Sequence, residues 1–255
     1  MNMNVILITQ NDNYYLPKNI DYLIYNLPDG IKITSAIVLD VSPFGKKLNI
    51  FQKAFSTYNI FGFKFFCRYS FKFIFNKLFN DDVKSTIDKN NIKSLNIKGN
   101  INGKLNLELI ASEKPDIIIS IACNQIFKKA LIQIPKIGII NLHTSLLPKY
   151  RGLMPSFWVL KNMESITGVS VFFVDEGIDS GDIIVQKIIK IETRNLEKLV
   201  KLTKETGIKA IIEALRKILS NSYDTIDNNE NLMTYNGFPT KNDVRSFLSS
   251  GNKFY

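Results

Sequence analysis

Four short runs rich in isoleucine and valine mark the chain up to residue 142: residues 4–9 (NVILIT), 31–39 (IKITSAIVL), 116–121 (DIIISI) and 137–142 (IGIINL). Each is bounded by polar or turn-forming residues and is short enough for a strand covered on both faces. Residues 17–25 and 105–113, between these runs, carry apolar side chains at helical spacing. Strand and helix in alternation predict an α/β domain with a mostly parallel sheet. Its crossovers should be right-handed, and its ligands should gather at the carboxyl ends of the strands.

After the fourth run comes a turn-rich stretch, residues 145–155, then a short helix over 156–162 and two more strands over 169–174 and 183–191. Residues 195–220 repeat apolar positions at helical spacing, a long amphipathic helix interrupted only by Gly207. The tail from 221 onward is polar and turn-rich, with one short helix near 242–248, and reads as an appendage. The expected fold is α/β, a Rossmann-like and mostly parallel sheet core over residues 1–194. A long C-terminal helix and short C-terminal extension follow over 195–255, suited to dimerisation or to a lid over substrate.

With 255 residues and 45% hydrophobic content the chain can bury a sizeable core, which excludes disorder. Lys and Arg total 33 against 23 Asp and Glu, and a net charge of +10 favours anionic partners such as phosphates, nucleic acid or a lipid surface. Cys67 and Cys123 are too few for a disulfide framework, and no run of Cys and His has metal-ligand spacing. No metal is therefore expected, and a reducing, cytoplasmic setting fits. Residues 5–8 are apolar but lack a basic flank or cleavage site, so they read as a first strand rather than a signal peptide. No stretch reaches the roughly 18 apolar residues of a membrane span. His143 is the single histidine, so any reaction needing an imidazole near neutral pH must use it.

Residues 41–80 contain no Asp or Glu. Lys46, Lys47, Lys53, Lys64, Arg68, Lys72 and Lys77 are interleaved there with aromatics that include Phe61, Phe63, Phe65, Phe66, Tyr69, Phe71, Phe73 and Phe75. Lys64, Arg68 and Lys72 are spaced by four, so on a helix they form one basic stripe beside aromatic rows. Packed helices or a dimer contact are the ordinary reading of such a segment. Contact with a membrane surface through residues 44–80 is the other, since a basic stripe beside aromatics suits an interfacial helix.

Residues 141–152 (NLHTSLLPKYRG) lie where the fourth run ends. On a strand, positions i and i+2 share a side, so the Asn141 amide and the His143 imidazole should face one cavity. That pairs a hydrogen-bond donor for a developing oxyanion with a proton-transfer group. An imidazole needs a partner, usually a carboxylate, and the loop Asp175-Glu176-Gly177-Ile178-Asp179-Ser180-Gly181-Asp182 supplies candidates, with Asp179 at its centre. Asp175 reads as a turn residue bonding its own backbone. Cys123 reads as inert packing.

The pattern N-L-H-x-S-L-L-P-x-x-R-G followed by D-x-G-I-D-S-G-D resembles the formyltransferases that use 10-formyltetrahydrofolate. Methionyl-tRNA formyltransferase, glycinamide ribonucleotide transformylase and the nucleotide-sugar N-formyltransferases belong to that group. The resemblance covers residues 115–191 closely. It implies a catalytic trio on Asn141, His143 and Asp179. It also implies a folate pocket formed by Asn124, Gln125, Ile126 and Phe127 together with Val174, Asp175, Glu176, Gly177 and Ile178. Main-chain groups there would read the pterin edge while Ile126 and Phe127 pack on it. Asn11, Tyr15, Thr144, Ser145 and Arg151 are the candidates for holding the acceptor; Arg151 either shapes its loop together with Gly152 or, as an arginine at a basic pocket mouth, holds a substrate phosphate.

The resemblance specifies the donor better than the acceptor. Glycinamide ribonucleotide transformylase carries a glycine-rich phosphate loop after its first strand, whereas residues 9–17 here (TQNDNYYLP) contain no glycine. Methionyl-tRNA formyltransferase adds a C-terminal barrel that holds tRNA, and only about 35 residues follow the long helix here. Formyltetrahydrofolate deformylase carries an extra N-terminal domain, whereas this chain starts at its first strand. The expectation is therefore a short sugar N-formyltransferase, which moves a formyl group from 10-formyltetrahydrofolate to the amine of a nucleotide-linked amino sugar. Such an enzyme would serve surface-polysaccharide synthesis, such as lipopolysaccharide or O-antigen, as a cytoplasmic homodimer with no nucleic-acid partner. Transfer to methionyl-tRNA or another amine is the alternative reading. An RNA- or membrane-binding module built on the same core without turnover is the non-enzymatic one.

Overall fold

The computed structural model describes residues 3–41, 49–79 and 82–255. Lys46 and Lys47, and the side chain of Lys77, lie outside what is described. The strands are β1 (Met3–Gln10), β2 (Ile31–Leu39), β3 (Lys93–Ser94), β4 (Ile117–Ile121), β5 (Gly138–His143), β6 (Arg151–Gly152), β7 (Ile166–Phe173), β8 (Ile183–Lys190) and β9 (Tyr235–Asn236). The α-helices are α1 (Leu16–Tyr25), α2 (Ile50–Phe61), α3 (Phe63–Leu78), α4 (Val83–Lys89), α5 (Lys104–Ser112), α6 (Lys129–Ile132), α7 (Pro155–Lys161), α8 (Leu196–Leu219) and α9 (Lys241–Ser249).

Seven strands form one sheet in the order β3-β2-β1-β4-β5-β7-β8. The first five in that order run parallel, and the β7–β8 hairpin adds two antiparallel strands at one edge. The isoleucine-rich runs are strands because both of their faces are covered. Val5 and Leu7 of β1 and Ile117 and Ile119 of β4 pack against α1, α4 and α8, while Ile6, Ile8 and Ile118 pack against α5 and α6 on the other side. Burying each such side chain stabilises the fold by about 2 kcal/mol. The chain leaves β1 toward β2 on one side and later crosses to β4 on the other. The carboxyl ends of β1 and β4 therefore flank a topological switch point, where open α/β sheets bind their ligands.

Helix α8 runs unbroken through Gly207, where the sequence suggests an interruption. A Cβ at that position would lie 2.6 Å from Leu142 Cδ2, so the glycine lets α8 press directly on β5 beside the Asn141–His143 pair. The described part of the acid-free segment forms two helices, α2 and α3. Asn49 caps α2 reciprocally with Gln52, and Gly62, at φ 84°, turns the chain into α3.

The tail is knitted into the body. Strand β9 pairs with β6, and Trp158 Nε1 donates to Gly237 O at 3.0 Å. Phe247 of α9 is fully buried and stacks on Phe157 of α7 at 4.8 Å, within a cluster that also holds Leu196 and Leu199 of α8. A boundary at residue 194 would cut through this packing. The tail reads as polar in sequence because a few apolar side chains, Val244 and Phe247 among them, do the anchoring.

Candidate active site

A cleft of about 750 Å³ opens over the carboxyl ends of β1, β4 and β5. Asn141 and His143 project into it from β5, as their i, i+2 spacing requires. The Asn141 carboxamide has no hydrogen-bond partner among the described residues, so its N–H groups remain free for a ligand.

His143 is buried, at 7% exposure, and both ring nitrogens are committed in direction. Its Nε2 lies 2.7 Å from Tyr150 O. A carbonyl oxygen can only accept, so the neutral ring keeps its proton on Nε2 and carries its lone pair on Nδ1. Nδ1 in turn faces Asp179 Oδ2 at 3.5 Å. This differs from the expectation that Asp179 orients the ring. The main chain of Tyr150 sets the orientation, and the carboxylate stands where it stabilises a proton arriving on Nδ1.

Two contacts and a left-handed backbone place Asp179. Its Oδ2 accepts from Gly152 N at 2.8 Å, its own carbonyl accepts from Asn228 Nδ2 at 2.9 Å, and its backbone sits in the left-handed region at φ 50°. A non-glycine residue held there marks a strained, over-determined loop. Asn228 also donates to Gly181 O at 3.0 Å and accepts from Arg151 Nη2 at 3.1 Å. Arg151 is 4% exposed, turned away from the cleft and bonded to the tail, so of its two expected roles this geometry suits the shaping of the loop and not a phosphate grip at the mouth. Asn228 is absent from the sequence reading because nothing local distinguishes it among the many tail asparagines.

The other expected residues divide by position. Thr144, Tyr15, Asn124, Gln125, Ile126, Phe127, Val174, Asp175, Gly177 and Ile178 line the cleft. Within that set Ile126 and Ile178 are open to it, whereas Phe127 is buried in the core beneath. Asn124 and Gln125 spend their side chains on Asp40 O and on the 99–101 loop. Asp175 Oδ1 accepts from Gly177 N and Ser180 Oγ, which folds the loop on itself as the sequence suggests. Glu176 lines a separate shallow depression. Ser145 is fully buried, donating to Lys149 O, and Asn11 pins α4 through Asp82 and Lys84 N, so neither reaches the cleft. Cys123 sits in the cleft floor, where burial pushes its thiol up to about 11.

Asp12 occupies the anion position after β1. One of its carboxylate oxygens, Oδ1, accepts from the backbone N–H groups of Tyr14, Tyr15 and Leu16 at 2.9, 2.7 and 3.0 Å. The nest at the start of α1, which could otherwise receive a phosphate, is filled by the chain's own carboxylate.

The opposite wall is basic and aromatic. Arg68 and Lys72 of α3 line it and reach Glu197 of α8 at 3.2 and 2.7 Å. Burial alone would raise the Glu197 carboxyl, but hydrogen bonds and charge from Lys72 and Arg68 together hold it below the usual range. Lys72 also lies 5.0 Å above the Tyr15 ring, and Tyr14 stacks on Tyr69 at 4.6 Å. Lys204 lines the same wall without an ion pair among the described residues. Burial lowers its ammonium from the ordinary lysine range, while the Asp12 charge pulls the other way. The spacing of Arg68 and Lys72 was visible in the sequence, but its direction, into the cleft, was not.

Residues 77–215 match the family model described as formyl transferase. Among curated proteins the chain is similar to the methionyl-tRNA formyltransferase of Methylacidiphilum infernorum, 39% identical over 137 residues, which are 53% of this chain and 43% of that protein. It is also similar to the bifunctional polymyxin resistance protein ArnA of Wigglesworthia glossinidia brevipalpis, 38% identical over 160 residues, which are 62% of this chain and 24% of that protein. The matches thus span less than half the length of these relatives. Among solved structures, the N-formyltransferase of Helicobacter canadensis, in complex with folinic acid and dTDP-3-aminofucose, shares the fold with a TM-score of 0.61 at 19% identity, covering 99% of this chain and 84% of that one.

Proposed function

The chain belongs to the formyl transferase family, and on that premise we propose that it moves a formyl group from 10-formyltetrahydrofolate to the amine of a nucleotide-linked amino sugar. The observation that carries this reading is the cleft itself: a free Asn141 amide and the Nδ1 face of His143 lie between one open apolar wall and one cationic, aromatic wall. The exposed edges of Ile126 and Ile178 suit a flat donor ring. Arg68, Lys72 and Lys204 suit the phosphates of the acceptor, and Tyr15 and Tyr69 suit its base. A complex with dTDP-3-aminofucose in the Helicobacter canadensis neighbour supports the same acceptor class.

In this mechanism the amine lone pair forms a bond to the formyl carbon, the bond from that carbon to the folate nitrogen breaks, and one proton moves from amine to folate nitrogen. Asn141 donates to the oxygen as it becomes an oxyanion. His143 Nδ1 receives the amine proton and returns it to the departing nitrogen, and Asp179 stabilises the imidazolium in between. Asp179→Asn keeps the shape of the loop but removes this charge, and is expected to lower kcat about a hundredfold. A rate within about threefold of wild type would remove the carboxylate from the proton path. Lys204→Gln, in contrast, should raise the acceptor's KM about tenfold and leave the donor's KM unchanged. An unchanged acceptor KM would take Lys204 out of the acceptor site.

The direct test is production of tetrahydrofolate from 10-formyltetrahydrofolate, measured against a panel of amino-sugar nucleotides. Turnover that depends on one of them supports the reading, and equal turnover without any acceptor sinks it. A second reading, transfer to methionyl-tRNA, is favoured by the names of the sequence relatives. Charged tRNA in the same panel separates the two.

A further inference from the structure

Helix α3 is apolar on both of its sides. Its inner side, with Phe65, Tyr69 and Lys72, walls the cleft. Its outer side presents Phe63, Phe71, Phe75 and Leu78 at spacings of three, four and eight, with exposures of 67, 72, 50 and 75%. On α2, Phe51 and Phe55 are exposed as well, at 82 and 68%. Large apolar side chains exposed together along one face of a helix mark an interaction surface.

Charge decides what covers it. Residues 41–80 contain no acidic side chain. Lys64 is exposed on α3, and Lys53 of α2 donates to the neutral Val41 carbonyl, with no ion pair among the described residues. A second copy docked about a two-fold axis would lay this surface on itself and bring like charges together with no carboxylate from the segment to separate them. An anionic lipid surface supplies the missing sign, takes the rings at its interface, and agrees with a chain of net charge +10. No described helix is long and apolar enough to cross a membrane. We propose that the outer face of α2 and α3 docks on an anionic bilayer and lies in its surface, holding from outside the helix that forms the basic wall of the cleft.

The test uses sedimentation with vesicles of phosphatidylcholine and phosphatidylglycerol in equal parts, against vesicles of phosphatidylcholine alone. The full chain should sediment with the mixed vesicles at low salt and be released as salt is raised. Substituting Phe71→Ser together with Phe75→Ser should weaken partitioning at least about tenfold while leaving formyl transfer in solution unchanged. Cys67, exposed on the same side of α3, should alkylate readily in free protein and become protected on mixed vesicles. Absence of sedimentation, sedimentation indifferent to the double substitution, or an unprotected Cys67 would each overturn the proposal. So would a stable dimer in ultracentrifugation that the double substitution dissociates, because the face would then belong to a second copy.

Discussion

His143→Ala and Asn141→Ala are each expected to reduce formyl transfer by at least about a hundredfold while the protein remains folded. The sizes follow from the geometry. In the proposed mechanism Asn141, unpartnered among the described residues, donates beside the reacting carbon, and loss of one oxyanion donor costs about 3 kcal/mol of transition-state stabilisation. His143 is the chain's only imidazole, so no second side chain of that kind can take over its proton transfer. Removing the ring also breaks its contact with Tyr150 O, at a cost in stability of about 1 kcal/mol. His143→Gln separates the two roles, since a glutamine amide can still donate to that carbonyl but cannot carry the proton. The expected result is near-native melting for His143→Gln with activity as low as His143→Ala. Turnover above about one-tenth of wild type in either variant would show that the imidazole is not the proton carrier.

Gly181→Ala is the second substitution with a large expected effect, although it touches no substrate. A Cβ at Gly181 would lie 1.8 Å from the carbonyl oxygen of Phe173, a main-chain atom on a core strand that cannot rotate aside. The loop must lift, and Asp179, two residues earlier, must lift with it, away from Gly152 N and from the ring of His143. Overpacking of this kind costs about 3 kcal/mol, which should appear as a lowered melting temperature. Activity should fall at least as far as in Asp179→Asn, because the same charge is displaced and the neighbouring donor wall shifts as well. Gly237→Ala provides the control: nothing lies within 4 Å of a Cβ there, so melting and rate should both stay near wild type. Wild-type melting and rate in Gly181→Ala would mean that the loop has slack that the packing does not reveal.

These two results separate what could be read along the chain from what could not. The isoleucine runs announce β1, β2, β4 and β5 within a residue or two, because burial on both faces leaves a composition that survives in one dimension. The pairing of Asn141 with His143 is equally legible, since it depends only on the two-residue repeat of a strand. Legibility fails where a side chain's role depends on a partner far along the chain. Arg151 fits either a loop-shaping residue or a phosphate grip in sequence; its nearest acceptors belong to Asn228, so it ties the tail to the Asp179 loop. Ser145 and Asn11 are polar residues beside the site that turn to local backbone and to α4 instead.

The sequence by itself determined the parallel sheet, the order of its strands along the chain, and the residues able to pass a proton and hold an oxyanion. Those follow from periodicity and from the small menu of chemically competent side chains. Tertiary structure alone decided which nitrogen of His143 faces Asp179, because that depends on a carbonyl delivered by the turn at Tyr150. It also decided that Arg68 and Lys72 face Glu197 and the cleft while Phe71 and Phe75 of the same helix face outward. A helix apolar on both sides has no preferred inward direction of its own, and only packing against α8 and the loop after β1 chooses one.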